Sequence, residues 1–194
     1  MISRKLQFIV AALVVAILAM GFYLVHLKGN AESITAPVAQ PLAPPATGPA
    51  GETTLYLASD DDDSLRPTTI SSALPEDPGE RGRLVLHTLI ARYLQKDSTH
   101  PLGAGADVRD VYLLDSASAV VNLNAELANS HRSGIEVEQL TVFSLVLTLK
   151  SQLPQLTRVR FLVDGKSRDT LAGHIDLSNW LDVALVANAA KDMK

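Results

Sequence analysis

The chain of 194 residues has no cysteine. That excludes disulfides, thiolate metal centres and a cysteine nucleophile, and with them the modified cysteine that tethers an exported lipoprotein. Basic clustering is also missing. With 17 Lys and Arg against 21 Asp and Glu, and a net charge of -4, no face is set up to neutralise phosphates, so nucleic acid is excluded as a partner. There is no Gly-x-Ser-x-Gly elbow, no His-Glu-x-x-His pair and no glycine loop for phosphate, and these absences remove the common signatures of acyl transfer, zinc hydrolysis and nucleotide chemistry. No cofactor or metal is called for. A carboxylate pair is the catalytic option left open, because such pairs have no fixed sequence spacing.

What is present first is a long apolar run. Leu6 to Leu27 is 22 residues without a formally charged side chain; at about 1.5 Å per residue it reaches roughly 33 Å, against a hydrocarbon core of about 30 Å. Arg4 and Lys5 precede it and only Lys28 and His26 sit at its far end, so the positive-inside bias keeps the N-terminus in the cytoplasm. The rival, a cleaved signal peptide, has an apolar region of about 7 to 15 residues ending in a small-x-small site, and no good site follows Leu27. Residues 1–28 are therefore expected to be an uncleaved single-pass anchor. Residues 29–52 carry Pro37, Pro41, Pro44, Pro45 and Pro49 among Ala, Thr and Gln, without an apolar period. Such a segment lacks the apolar surface to offset its ordering entropy and leans toward polyproline II, the composition of a spacer.

The domain is expected over 53–178, with a tail over 179–194. Thr54–Leu57 and Thr68–Leu74 read as a hairpin around an acidic loop. Asp60 to Asp63 lacks the glycine and distant glutamate of a calcium loop and reads as a solvated turn. Asp77-Pro78-Gly79-Glu80 is a helix start, followed by Leu86, Leu89, Ile90, Tyr93 and Leu94 on one face with His87 turned to solvent. Val108–Leu114 and Ala119–Leu123 form a second hairpin, with Val108, Tyr112, Leu114, Val121 and Leu123 offered to a core. Ser133-Gly134-Ile135-Glu136 is a capping box opening a helix to about Gln152. That helix is apolar on two sides, so it lies at the centre of the domain or in an interface. Glu138 falls in its first turns, where a carboxylate favours the positive helix end.

Val159, Phe161 and Val163 alternate with Arg158, Arg160 and Leu162, a strand with one buried face. Arg158 and Arg160 then share the other face, solvated or facing an acidic protein surface or anionic glycan. Asp164-Gly165 supplies a turn. His174, after Gly173, either holds a loop by a hydrogen bond or acts as a base. In the tail, Trp180 to Leu185 has the spacing of a short helix.

Gly134, Glu138, Thr148-Leu149, Val159, Val163-Asp164-Gly165, Leu171 and Gly173-His174 fall in the order and spacing of a GerMN domain, and the stretch from about Thr53 to Ser178 resembles that family. The resemblance implies a compact α/β sandwich of short mixed and antiparallel strands with two main helices, similar to ring-building modules. It further implies a bacterial envelope protein, its domain outside the cytoplasmic membrane, with other envelope proteins, a second copy or peptidoglycan as partners. Two departures stand out. The usual Gly-Pro after the first helix has no counterpart in Asp97–Gly105, and Val121-Asn122-Leu123-Asn124 stands where family members have Val-Asp-Leu-Ser, which removes an acid from that position. The expected function is a non-catalytic scaffold in envelope, sporulation or germination assembly. The alternative is a peptidoglycan-binding or peptidoglycan-cleaving protein using Glu138 or Asp164 with His174, or binding glycan through Arg158, Arg160 and Trp180.

Overall fold

The computed structural model describes residues 50–193. The expected anchor at 1–28 and the linker up to residue 49 lie outside the described residues. Among the described residues no helix is long and apolar enough to cross a membrane.

Strands β1 (Ala50–Ser59) and β2 (Ser64–Ala73) form an antiparallel hairpin, in register from Ala50 opposite Ala73 to Ser59 opposite Ser64. Each strand is longer than the apolar residues alone suggest. The acidic loop closes in four residues, with Asp63 at φ 49° and Asp62 accepting from the Ser64 hydroxyl at 2.8 Å. The outer edge of β1 is closed by side chains in place of a strand. Tyr56 N–H donates to Thr148 Oγ1 and Ala58 N–H to the Tyr93 hydroxyl, both at 2.9 Å, while Ser151 Oγ donates to Thr54 O at 2.8 Å. Those bonds satisfy the exposed ladder groups of an edge strand and support pairing beyond the hydrophobic core of the hairpin.

Helix α1 (Pro78–Tyr93) starts where expected, with Asp77 accepting from Glu80 N–H at 2.8 Å. It buries Val85, Leu86, Leu89, Ile90 and Tyr93, leaving Leu94 outside at the C-cap. Gly82 lets it approach closely, since a Cβ there would lie 2.9 Å from Leu149 Cδ1. Strands β3 (Val108–Asp115) and β4 (Ser118–Leu123) pair antiparallel. Here the expected core needs correction: Tyr112 and Leu114 are 50% and 63% exposed, and Val111 is buried with Val108. Register shifts between Val108 and Asp110 and between Leu113 and Asp115 break the alternation, and one extra residue in a strand moves the following side chains to the opposite face.

A short α2 (Ala125–Ser130), capped by Asn124, leads to α3 (Ile135–Gln152). Strand β5 (Arg158–Val163) then runs parallel to β4, the crossover that α3 makes feasible. Helix α3 is buried on all sides from Leu140 to Leu149, with Thr141, Ser144 and Thr148 buried among its apolar residues, and packs against β1, α1 and the last helix. It is the centre of the domain, as its two apolar faces predict. Its start is not the expected capping box. Gly134 is the N-cap without a side-chain cap, and the Ser133 hydroxyl faces the His174 ring instead.

The tail differs from a helix begun at Trp180. Leu181–Asp182 forms β6 against β5, and α4 (Val183–Asp192) begins only after Asp182, whose carboxylate accepts from Ala184 and Leu185 N–H. The second sheet thus has the order β3-β4-β5-β6. Two sheets and four helices among the described residues make a mixed α/β domain.

Candidate functional site

Glu138 lies in the first turn of α3, and its side chain is wholly inaccessible. Its Oε2 accepts from three main-chain N–H groups in one segment: Ala172 at 3.0 Å, His174 at 3.1 Å and Ile175 at 3.0 Å. Its Oε1 takes the His174 ring at Nδ1, 2.9 Å away, and lies 3.4 Å from Gly134 N–H. The segment bends around the carboxylate because Gly173 adopts φ 123°, a conformation that side chains with a Cβ rarely enter. Gly134, Glu138, Gly173 and His174 therefore come together as one unit.

Burial pushes the Glu138 carboxyl up, but the Ile175, Ala172 and His174 N–H groups and the His174 ring outweigh it and bring it down to about 2. The group is an anion at neutral pH. A carboxyl titrating near 2 has no proton to give near neutrality and little affinity for one, so it is a poor general acid and a poor base. His174 is 40% exposed with Nδ1 committed to Glu138. Its other nitrogen has no protein partner among the described residues.

Asp164 and Gly165 lie in a different constellation. Asp164, at φ 49°, accepts from Ala125 N–H at 3.2 Å and pairs with Arg109 Nε at 2.7 Å. Gly165, at φ 73°, donates its N–H to Asn122 Oδ1 at 2.7 Å. The residue that departs from the family pattern in β4 thus still supplies an acceptor, to the β5 turn. Of the two acids offered with His174, Glu138 meets its ring and Asp164 makes no bond to it among the described residues.

Arg158 and Arg160 share the outer face of β5, as alternation predicts. Arg158 Nε donates to Ser118 Oγ at 2.8 Å and its guanidinium lies 4.8 Å from the Trp180 ring centre. Arg160 Nη2 donates to Ser167 Oγ at 3.1 Å, and its buried Nε has no partner. In the same sheet Arg160 is level with Val120 and Val120 with Tyr112, so the arginines adjoin exposed aromatic and aliphatic surface.

A further cluster gives no signal in the sequence. His100 is fully buried, with Nδ1 2.5 Å from Asp60 Oδ1 and Nε2 2.7 Å from Thr141 Oγ1. His131 Nε2 meets the same hydroxyl at 2.7 Å, and its Nδ1 lies 2.7 Å from Arg132 O. Arg132 also pairs with Asp60. The partners are 40 and 41 residues apart along the two main links, beyond the reach of any local spacing rule. Asp60 had been legible only as one acid of a solvated turn; the fold turns it inward. Among the described residues no three His, Asp or Glu side chains are arranged to hold a metal ion. A groove of about 390 Å³ is lined by Tyr56, Leu65, Leu147, Ala187, Ala190 and Met193 with Lys191 and includes none of these residues.

A family model described as Germane, sporulation and spore germination, matches residues 54–169. No curated protein sequence matches the chain. Among solved structures, the tandem GerMN domains of the sporulation protein GerM from Bacillus subtilis are similar at 19% identity and a TM-score of 0.53, covering 69% of this chain and 46% of that one. The chain thus spans less than half of that tandem structure. The first GerMN domain of the same protein matches at 20% identity with a TM-score of 0.49, over 68% of this chain and 97% of that one. A candidate lipoprotein from Clostridium perfringens matches at 21% identity and a TM-score of 0.45, over 76% and 97%. The likeness to the tandem structure is one of fold.

Proposed function

Because the chain belongs to the Germane family of sporulation and spore germination, we propose that it is a non-catalytic interaction module of the bacterial envelope. In this reading residues 6–27 anchor it in the cytoplasmic membrane and the domain acts outside, assembling other envelope proteins or further copies of itself. The observation that carries the non-catalytic reading is the state of Glu138. The acid that would have to do chemistry is an anion held by three main-chain N–H groups, and it braces the 172–175 segment against α3. The contact surface we assign is the outer face of the second sheet, where Arg158 stacks on Trp180 and Arg160 lies level with Val120, which pairs in turn with Tyr112. Guanidinium groups next to aromatic rings suit an acidic protein surface.

Cross-linking of the full-length protein in living cells, with an anchor-only chain as control, tests this. Recovery of specific envelope proteins or of the chain itself, lost on Arg158→Glu with Arg160→Glu, is the expected result. Recovery no different from the control overturns it. A second reading, peptidoglycan as ligand, is favoured by the Arg158–Trp180 stack alone. Co-pelleting with purified sacculi without released fragments supports binding, and released fragments overturn the non-catalytic assignment.

A further inference from the structure

The cluster of Asp60, His100, Thr141 and His131 poses a counting problem that ordinary protonation does not solve. The His100 Nδ1 faces a carboxylate that also receives Arg132, and the His131 Nδ1 faces the Arg132 carbonyl. Both partners are acceptors, so each Nδ1 must carry the ring proton. In a neutral imidazole that leaves Nε2 bare, an acceptor. Both Nε2 atoms point at the same oxygen, Thr141 Oγ1, each at 2.7 Å. A hydroxyl has one hydrogen. It satisfies one ring and leaves the other as a lone pair against a lone pair at hydrogen-bond distance, inside a site that water does not reach. The usual helical alternative is worse still: if Thr141 donates to Val137 O, 3.2 Å away, neither ring is satisfied.

One added proton resolves the conflict. With one ring an imidazolium, its Nε2–H donates to Thr141 Oγ1, and the Thr141 hydroxyl donates to the Nε2 of the other ring. Each of the four ring contacts then has a hydrogen between its heavy atoms. We propose that His100 and His131 form a proton-binding site in which a single proton, shared through the Thr141 hydroxyl, completes the hydrogen bonding between the β1–β2 turn, the loops at residues 100 and 131, and helix α3.

The surroundings fit such a site. Asp60 supplies the negative charge that a buried cation needs, and Arg132 at its other oxygen keeps it ionised. Glu138, one helical turn before Thr141, adds a second anion on the side of His131. Tyr93 from α1 sets its ring edge-on to His100 at 4.9 Å between centres and stays neutral, its hydroxyl pushed up to about 12 by burial. The two histidines lie 6.4 Å apart, centre to centre, so each disfavours a second proton on the other. Burial lowers both imidazoles from their ordinary value, the Asp60 bond opposing it for His100 and the Arg132 carbonyl for His131. The shared proton is therefore bound on acidification and given up as pH rises.

Two sites coupled through one hydroxyl titrate as a pair. Long-range ¹H–¹⁵N spectra of the full chain labelled at histidine, followed from pH 4 to pH 9, read tautomer and charge for each ring directly. The expected result is that both rings are Nδ1–H when neutral. In the first titration step both move at one common midpoint, each by a fraction of a full imidazolium shift, the two fractions adding up to one proton. Thr141→Val separates them into two independent midpoints, and Thr141→Ser, which keeps the hydroxyl, restores the common one. A neutral ring with its proton on Nε2, independent midpoints in the unaltered chain, or no uptake across the range would each overturn the proposal. Should the valine variant not fold, tautomer and fractional shift in the unaltered chain decide the matter alone.

Discussion

Replacing Glu138 by Gln keeps the shape of the side chain and removes its charge. In the folded protein the carboxyl titrates at about 2 against an ordinary 4.5; at about 1.36 kcal/mol per pH unit, that difference corresponds to roughly 3 kcal/mol of stability. Because the Gln carbonyl still accepts one or two of the N–H groups, and opening of the segment would let water reach the rest, the expected loss at pH 7 is about 2–3 kcal/mol. The folded value lies below the unfolded one, so the contribution is complete above pH 4.5 and drains away as pH falls toward 2. At pH 3 only about 1 kcal/mol of it remains. Urea unfolding followed by the single tryptophan, Trp180, at pH 7 and at pH 3 on a fragment beginning at Pro45, where the compact unit starts, measures both numbers. Because Gln does not titrate, the reasoning predicts that the gap between parent and variant shrinks by about 2 kcal/mol at the lower pH, to about 1 kcal/mol or less. A gap that is the same at both, or below about 1 kcal/mol at pH 7, would show that the carboxylate does not hold the segment.

Three other perturbations probe separate contacts. Gly173→Ala places a Cβ at φ 123° and should cost about 1–3 kcal/mol by the same unfolding assay, although the nearest neighbour of that Cβ is an uncrowded 3.6 Å away; a neutral result would mean that the segment relaxes to negative φ. Tyr93→Phe removes the acceptor of Ala58 N–H and should cost about 1–3 kcal/mol, with faster hydrogen exchange at Ala58 as its local sign. In spectrophotometric titration of the parent, Tyr93 should ionise near 12. Arg158→Ala uncovers one face of Trp180 and should shift its emission while changing stability by no more than about 1 kcal/mol; an unchanged spectrum would show that the stack is not populated.

The legibility of this chain followed the range of the forces involved. Helix α3 could be read from its own residues, because apolar residues on two of its sides mark burial, and the Thr and Ser between them are short enough to be buried with their hydroxyls bonded. The inward face of β5 was equally plain from alternation, and so was the Asp77 cap, which acts over three residues. The failures were also physical. Tyr112 and Leu114 were assigned to the core because alternation carries no record of a register shift. The capping box at Ser133 matched its pattern but lost its hydroxyl to His174, a residue on a different segment. The family pattern brought Glu138 and His174 together in one list, whereas the reason for their pairing, a carboxylate receiving three amides, belongs to the main chain of a loop that sequence does not describe. The histidine cluster was out of reach because its members meet only when the first hairpin, α1 and α3 are already packed.

The carboxylate of Glu138 reads mostly backbone, with the His174 ring as the one side chain of the segment that it takes. Ala172 and Ile175 are recognised through amides that nearly every amino acid possesses, so the identity of the 172–175 segment is largely free to drift while its path stays fixed. Three restrictions remain: a ring nitrogen at 174, to meet the other carboxylate oxygen, glycine at 173, to permit the bend, and no proline at 172, 174 or 175, because proline has no N–H to give. One buried acid can in this way hold the course of a loop constant while the surface that the loop presents varies, separating what keeps the domain folded from what it shows to its surroundings.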